Sequence, residues 1–198
     1  MTNFEDAGKT GRPGALTSRF DNAFRYAHEL HRDQTRKGTQ IPYIAHLMSV
    51  SALVIENGGD EDQAIGALLH DAAEDQGGAP TLEEIRRRFG GGVAQIVADC
   101  TDAWTDKKPL WRPRKEAYIA HLPSKSKTSL LVSLADKVHN AEAILADYRV
   151  LGDDLWSRFA GGADGTRWYY RTLAEFFSQT MPGALADRLS RAAAAFSV

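Results

Sequence analysis

The sequence predicts an all-α fold. Apolar residues recur at spacings of three and four along nearly the whole chain, and no period-two alternation runs longer than four or five residues. Glycines and capping residues fall where helices should stop and start. Phe20, Ala23, Phe24, Ala27, Leu30 and His31 mark a first amphipathic helix near 18–33, capped by Thr17 or Ser18. The loop from Thr35 to Pro42 leads to a second helix near 43–57, with Pro42 suited to its first turn, and Gly58-Gly59 ends it. A third helix over 61–75 closes at Gly77-Gly78. Thr81-Leu82-Glu83-Glu84 has capping-box spacing and opens a helix to about Phe89. Gly90-Gly91-Gly92 separates this from a helix near 93–104. Segment 105–113 is polar with two prolines and reads as a loop. Helices near 114–121, 126–147, 153–160, 166–179 and 182–196 complete the chain.

At 198 residues and 43% hydrophobic, the chain can bury one full core. The expected division is a flexible lead over 1–16 and one domain over 17–198. A formal net charge of −2 gives no footprint for general nucleic-acid binding. The single cysteine, Cys100, excludes an intramolecular disulfide and fits a reducing cytoplasm. No stretch approaches the roughly 20 apolar residues that cross a bilayer, and Met1 to Gly14 has no apolar signal core. The expected location is cytoplasmic, without a membrane partner.

The chemistry concentrates in Leu68-Leu69-His70-Asp71-Ala72-Ala73-Glu74-Asp75, with His46 upstream and Asp136 downstream. Two imidazoles and two carboxylates make a mixed N/O set suited to Mn²⁺, Fe²⁺ or Zn²⁺, unlike the thiolates of a structural zinc site. They follow a buried apolar run, where unpaired charge is costly. Glu74 lies four residues after His70 and Asp75 four after Asp71, so a helix would place each pair on one face. Asp136 and Asn140 share the same spacing. A divalent cation would offset the crowding of carboxylates and acidify a bound water, which Glu74 and Asp75 could orient or deprotonate. His28, His31 and His121 read as ordinary core or surface histidines, and His139 as structural.

His46, His70-Asp71 and Asp136 match the H…HD…D signature of the HD-domain phosphohydrolases. Arg36-Lys37-Gly38 before Pro42-Tyr43-Ile44-Ala45-His46, Phe89-Gly90 followed by Val93, Thr101-Asp102, and Leu134-Ala135-Asp136-Lys137-Val138-His139-Asn140 extend the match. Over about residues 20–180 the chain resembles the hydrolase domain of Rel/Spo alarmone enzymes and their single-domain relatives, the small alarmone hydrolases. The resemblance implies an HD-domain helical bundle whose mononuclear metal, usually Mn²⁺, is held by His46, His70, Asp71 and Asp136. It implies Glu74 and Asp75 as the catalytic acidic pair. Arg36 and Lys37 would lie at the nucleotide, with Asn140 at base or sugar and Lys137 near the phosphates. Arg167, Tyr169 and Tyr170 sit where relatives close the pocket.

Ala72-Ala73 is smaller than the apolar pair common in the family, and Gln76 replaces a small hydroxyl residue, changes that point to altered packing. Arg112, Arg114 and Lys115, with Lys107 and Lys108, are candidates for holding a distal phosphate. Trp156, Phe159, Trp168, Phe176 and Phe177 read as core. The expected reaction is hydrolysis of the 3′-pyrophosphate of ppGpp or pppGpp to GDP or GTP and pyrophosphate. With the chain ending at Val198, no synthetase domain is expected. A phosphatase acting on NADPH or another nucleotide would use the same site. A silent nucleotide sensor would not need Glu74 and Asp75. The sequence leaves the oligomeric state open, a homodimer included.

Overall fold

The computed structural model describes residues 15–104 and 110–196. Helices follow in the order α1 (Ser18–Leu30), α2 (Ile44–Glu56), α3 (Glu61–Leu69), α4 (Ala72–Asp75), α5 (Gly78–Phe89), α6 (Gly91–Cys100), α7 (Trp111–His121), α8 (Lys127–Leu151), α9 (Gly162–Thr180) and α10 (Ala184–Ala195). Short 3-10 turns occupy Leu122–Ser124 and Gly152–Arg158. Among the described residues the only β feature is an isolated bridge between Thr35 and Pro42, so the all-α reading holds. Most of the expected N-terminal lead, together with Lys107 and Lys108, lies outside the described residues. No described helix is long and apolar enough to cross a membrane.

Capping explains several boundaries. Thr17 accepts the Arg19 N–H at the start of α1. Asp60 and Gln63 form a reciprocal capping box at α3, and Ser126 accepts the Ser129 N–H at α8. The box expected at Thr81 does not form. Helix α5 already starts at Gly78, and the Thr81 hydroxyl inside it donates to the Gln76 carbonyl. Pro42 lies outside α2, whose N-cap is Tyr43. Helix α7 takes in Pro113, because the first turn of a helix needs no N–H there. The expected 61–75 helix is two helices. The ladder breaks at His70-Asp71, although Asp75 N–H still bonds the Asp71 carbonyl at 2.9 Å.

Two apolar clusters share the interior. One gathers Ala23, Ala27, Ile85, Phe89, Val93 and Val97 from α1, α5 and α6. The other gathers Leu134, Val138, Leu173, Phe177 and Leu189 from α8, α9 and α10. Helices α2 and α3 serve both: Leu47 and Leu69 face the first, Val50 and Ala67 the second. Residues Ala64 to Leu69 of α3 are all buried, the pattern of a helix enclosed on every side. Its glycine lets α6 approach, since a Cβ on Gly66 would meet Ile96 Cγ2 at 2.7 Å. Ile96 is itself 2% exposed and branched at Cβ, so it cannot swing away. Replacing Gly66 by alanine should therefore destabilise the fold by about 1–3 kcal/mol. Urea unfolding should report this as a lower midpoint at unchanged slope, and an unchanged midpoint would refute the close approach.

Candidate metal centre and adjoining cleft

Three helices deliver the four expected ligands. His46 comes from the first turns of α2, His70 and Asp71 from the break after α3, and Asp136 from the middle of α8. All three helices are anchored by buried neighbours (Leu47, Leu69 and Ala135), so the side chains start from fixed backbone. His46 Nε2 lies 3.6 Å from Asp71 Oδ2 and 3.2 Å from Asp136 Oδ1. His70 Nε2 lies 3.0 and 3.5 Å from the same two oxygens. His46, His70 and Asp136 form a group whose ligand atoms could hold a metal ion, and Asp71 sits against it.

The residues fit such an ion on two counts. Both Nε2 atoms are buried with no hydrogen-bond partner, which is costly unless something binds them. Ligands about 2.1 Å from one ion stand about 3.0 to 3.4 Å apart, and the four imidazole–carboxylate distances run from 3.0 to 3.6 Å. Each ligand is also oriented from behind. His70 Nδ1 bonds the Ala67 carbonyl at 2.8 Å, which turns the Nε2 lone pair inward. Tyr43 OH donates to Asp71 Oδ2 at 2.5 Å, and Asn140 Nδ2 donates to Asp136 Oδ1. Lys137 Nζ binds the other Asp136 oxygen at 2.5 Å. His46 Nδ1 meets His139 Nδ1 at 2.8 Å.

Electrostatics point the same way. Burial opposes ionisation of Asp136 and Asp71, yet Lys137 and the two imidazoles hold the first carboxyl well below its usual range, and His70 and His46 hold the second. Burial also opposes a charge on His70, but the carboxylates outweigh it and push the imidazole up. A cation at this place would meet the same two carboxylates. Burial, followed by the nearness of His46 and Arg36, lowers the His139 pKa to about 4.

A cleft of about 500 Å³ opens beside the cluster, lined among others by Arg36, Lys37, Tyr43, His46, Asp75 and Asn140. Its outer wall is the Thr35–Pro42 loop, closed by the Arg36 N–H to Ile41 carbonyl and Tyr43 N–H to Gln34 carbonyl bonds. Gly38 turns this loop with a φ of +72°, and Arg158 packs where its Cβ would be. Arg36 donates to Asn140 Oδ1 at 2.7 Å, and the Lys37 ammonium lies 5.9 Å from the Phe159 ring centre. Asp75 lines the cleft and accepts from Gln34 Nε2 at 2.9 Å, and Gln76 bonds Gln34 in turn. Glu74 is not among the residues lining this cleft; it accepts the Asp102 N–H at 3.3 Å and lies 3.7 Å from Arg114. Asp102, in turn, is held by Arg114 and Lys115.

Two placements depart from expectation, and a third residue gains a contact. Arg167 does not reach the cleft: its Nε bonds the Phe196 carbonyl at 2.6 Å, tying α9 to the end of α10. Tyr170 does line the cleft. Phe159, read as core, is a cleft wall, and the structural histidine His139 touches a ligand. The signal for His139 was present, because Asp136, His139 and Asn140 fall on one helical face. Nothing local foretold Phe159.

This constellation of helices and site defines a class. The HD-domain sequence profile matches residues 23–165, and the chain belongs to the HD-domain family. The Xenopus tropicalis guanosine-3′,5′-bis(diphosphate) 3′-pyrophosphohydrolase MESH1 is 38% identical over 138 residues, which is 68% of this chain and 72% of the relative. The Danio rerio protein of the same name is 37% identical over 118 residues, 58% of this chain and 63% of the relative. Among solved structures, a metazoan SpoT ortholog described as hydrolysing ppGpp superposes with a TM-score of 0.71 at 24% identity, over 90% of this chain and 95% of that one. At that identity the superposition speaks for the fold alone.

If the cluster binds an ion, His70→Ala removes one of four ligands. The purified variant should lose most bound metal while its far-UV circular dichroism stays helical, and full metal content would sink the assignment.

Proposed function

We propose that this chain is a metal-dependent hydrolase that removes the 3′-pyrophosphate of ppGpp and pppGpp, giving GDP or GTP and pyrophosphate. The observation that carries this reading is the His46–His70–Asp71–Asp136 cluster beside a cleft walled by Arg36, Lys37 and Asn140. The activity for which the MESH1 relatives are named supports the choice of substrate.

His46, His70, Asp71 and Asp136 would hold the ion, with Mn²⁺ the preferred candidate and Fe²⁺ or Zn²⁺ as alternatives. A bound divalent cation supplies Lewis-acid polarisation of a phosphoryl oxygen and makes water a better nucleophile near neutral pH. Water forms a bond to the phosphorus on the 3′ oxygen, the P–O3′ bond breaks, and the ribose oxygen takes up a proton. Asp75, held by Gln34, and Glu74, held by the Asp102 N–H, would be the acid–base pair. Arg36 offers a planar cation to stack on the base, and Asn140 both donates and accepts beside it. Lys37 and Lys137 neutralise phosphate charge, and Tyr170 closes the inner wall of the cleft.

The decisive test incubates the Mn²⁺-loaded protein separately with ppGpp, pppGpp and NADPH and resolves the products by anion exchange. Pyrophosphate with GDP or GTP is the expected result, whereas phosphate from NADPH alone would overturn the proposal. In the same assay Arg36→Ala should mainly raise KM for ppGpp, since stacking binds ground and transition states about equally. Glu74→Gln should keep its metal and lose turnover by about 10²–10⁴-fold. Unchanged kcat with metal bound would remove Glu74 from the chemistry.

A further inference from the structure

We infer that His139 is a positioning residue for the metal centre: its Nδ1 accepts the Nδ1–H of His46, fixing the tautomer and ring angle that present His46 Nε2 to the ion. The inference rests on the metal-binding reading above.

The geometry allows two polarities and only one that serves a metal. The Nδ1 atoms of His46 and His139 lie 2.8 Å apart, so one nitrogen carries the proton and the other accepts it. Were His139 the donor, neutral His46 would carry its remaining proton on Nε2. That atom would then have no lone pair for an ion. With His46 as donor, Nε2 is bare and its lone pair is available to an ion, as a metal-ligating imidazole requires.

The surroundings hold this pair in place. The His46 ring sits edge-on between Tyr43 and His70, at centroid distances of 5.4 and 5.2 Å, and His139 packs at 4.8 Å on it. His46 is 1% exposed, so bulk water has little access to its Nδ1 and the His139 nitrogen is the acceptor at hand. His70 solves the same problem with a backbone carbonyl, that of Ala67. His46 sits near the start of α2 and uses a side chain from α8 instead. One helical turn therefore carries a ligand, Asp136, and the orienter of another ligand, His46. The α2–α8 contact is thereby tied to ion affinity as well as to packing.

Two variants separate hydrogen bonding from packing. His139→Leu keeps most of the volume and removes the acceptor. His139→Asn places an amide oxygen close to where Nδ1 stood. Mn²⁺ alone is titrated into apo wild type and both variants by calorimetry, with circular dichroism confirming the helices. The expected result is Mn²⁺ binding about 10- to 100-fold weaker for His139→Leu, in the range of lost outer-shell partners, with most of the loss restored in His139→Asn. Equal Mn²⁺ affinity for all three proteins would overturn the inference while leaving the centre itself intact. Equal weakening in both variants would overturn it in favour of packing. Wild type that binds no Mn²⁺, Fe²⁺ or Zn²⁺ would fell the metal-centre reading and this inference with it. Because the readout is affinity, failure of ppGpp turnover would count against the proposed substrate only.

Discussion

Two carboxylates, Asp71 and Asp136, face each other across two buried imidazoles in the interior of a helical domain. Taking each such charge out of water costs several kcal/mol even after the protein relaxes. Everything around the pair answers that cost. Lys137 and Asn140 meet Asp136, Tyr43 meets Asp71, and both Nε2 atoms turn inward. A divalent cation held as proposed would complete the balance.

The fold follows from having to bring these groups together. A ligand on α2, two at the end of α3 and one on α8 can meet only if the three helices pack on one another, which they do. Across the break between α3 and α4 the backbone stays right-handed helical, with φ −59°, ψ −31° at His70 and φ −94°, ψ −3° at Asp71. The two side chains therefore leave the axis about 100° apart and reach the cluster from two sides. The retained Asp75 N–H bond keeps Asp75 one turn beyond Asp71.

Much of this was legible in the sequence, for definable reasons. Helical periodicity is a local property, so the all-α fold and most helix centres read directly from apolar spacing. The gathering of His46, His70 and Asp136 was legible because His and Asp next to a buried apolar run demand a partner. Boundaries were harder. Thr81 has the chemistry of a cap but sits inside α5, and Pro113 looks like a breaker yet is harmless in a first turn. Contacts made across the fold were not legible. Arg167 had the charge for a phosphate but is drawn to the Phe196 carbonyl, and Phe159 reaches the cleft only because a 3-10 turn delivers it there.

Arg36, Asn140 and Asp136 form a continuous hydrogen-bonded chain from the outer loop to the ion cluster. Under the proposed function, a nucleotide that draws Arg36 onto its base would release the Asn140 oxygen and leave the Asn140 amide free to change its hold on Asp136. Occupancy of the cleft and occupancy of the centre would then be thermodynamically linked. By reciprocity, whatever factor the nucleotide applied to ion affinity, the ion would apply to nucleotide affinity. Michaelis constants for the proposed reaction would then carry the free-metal concentration within them.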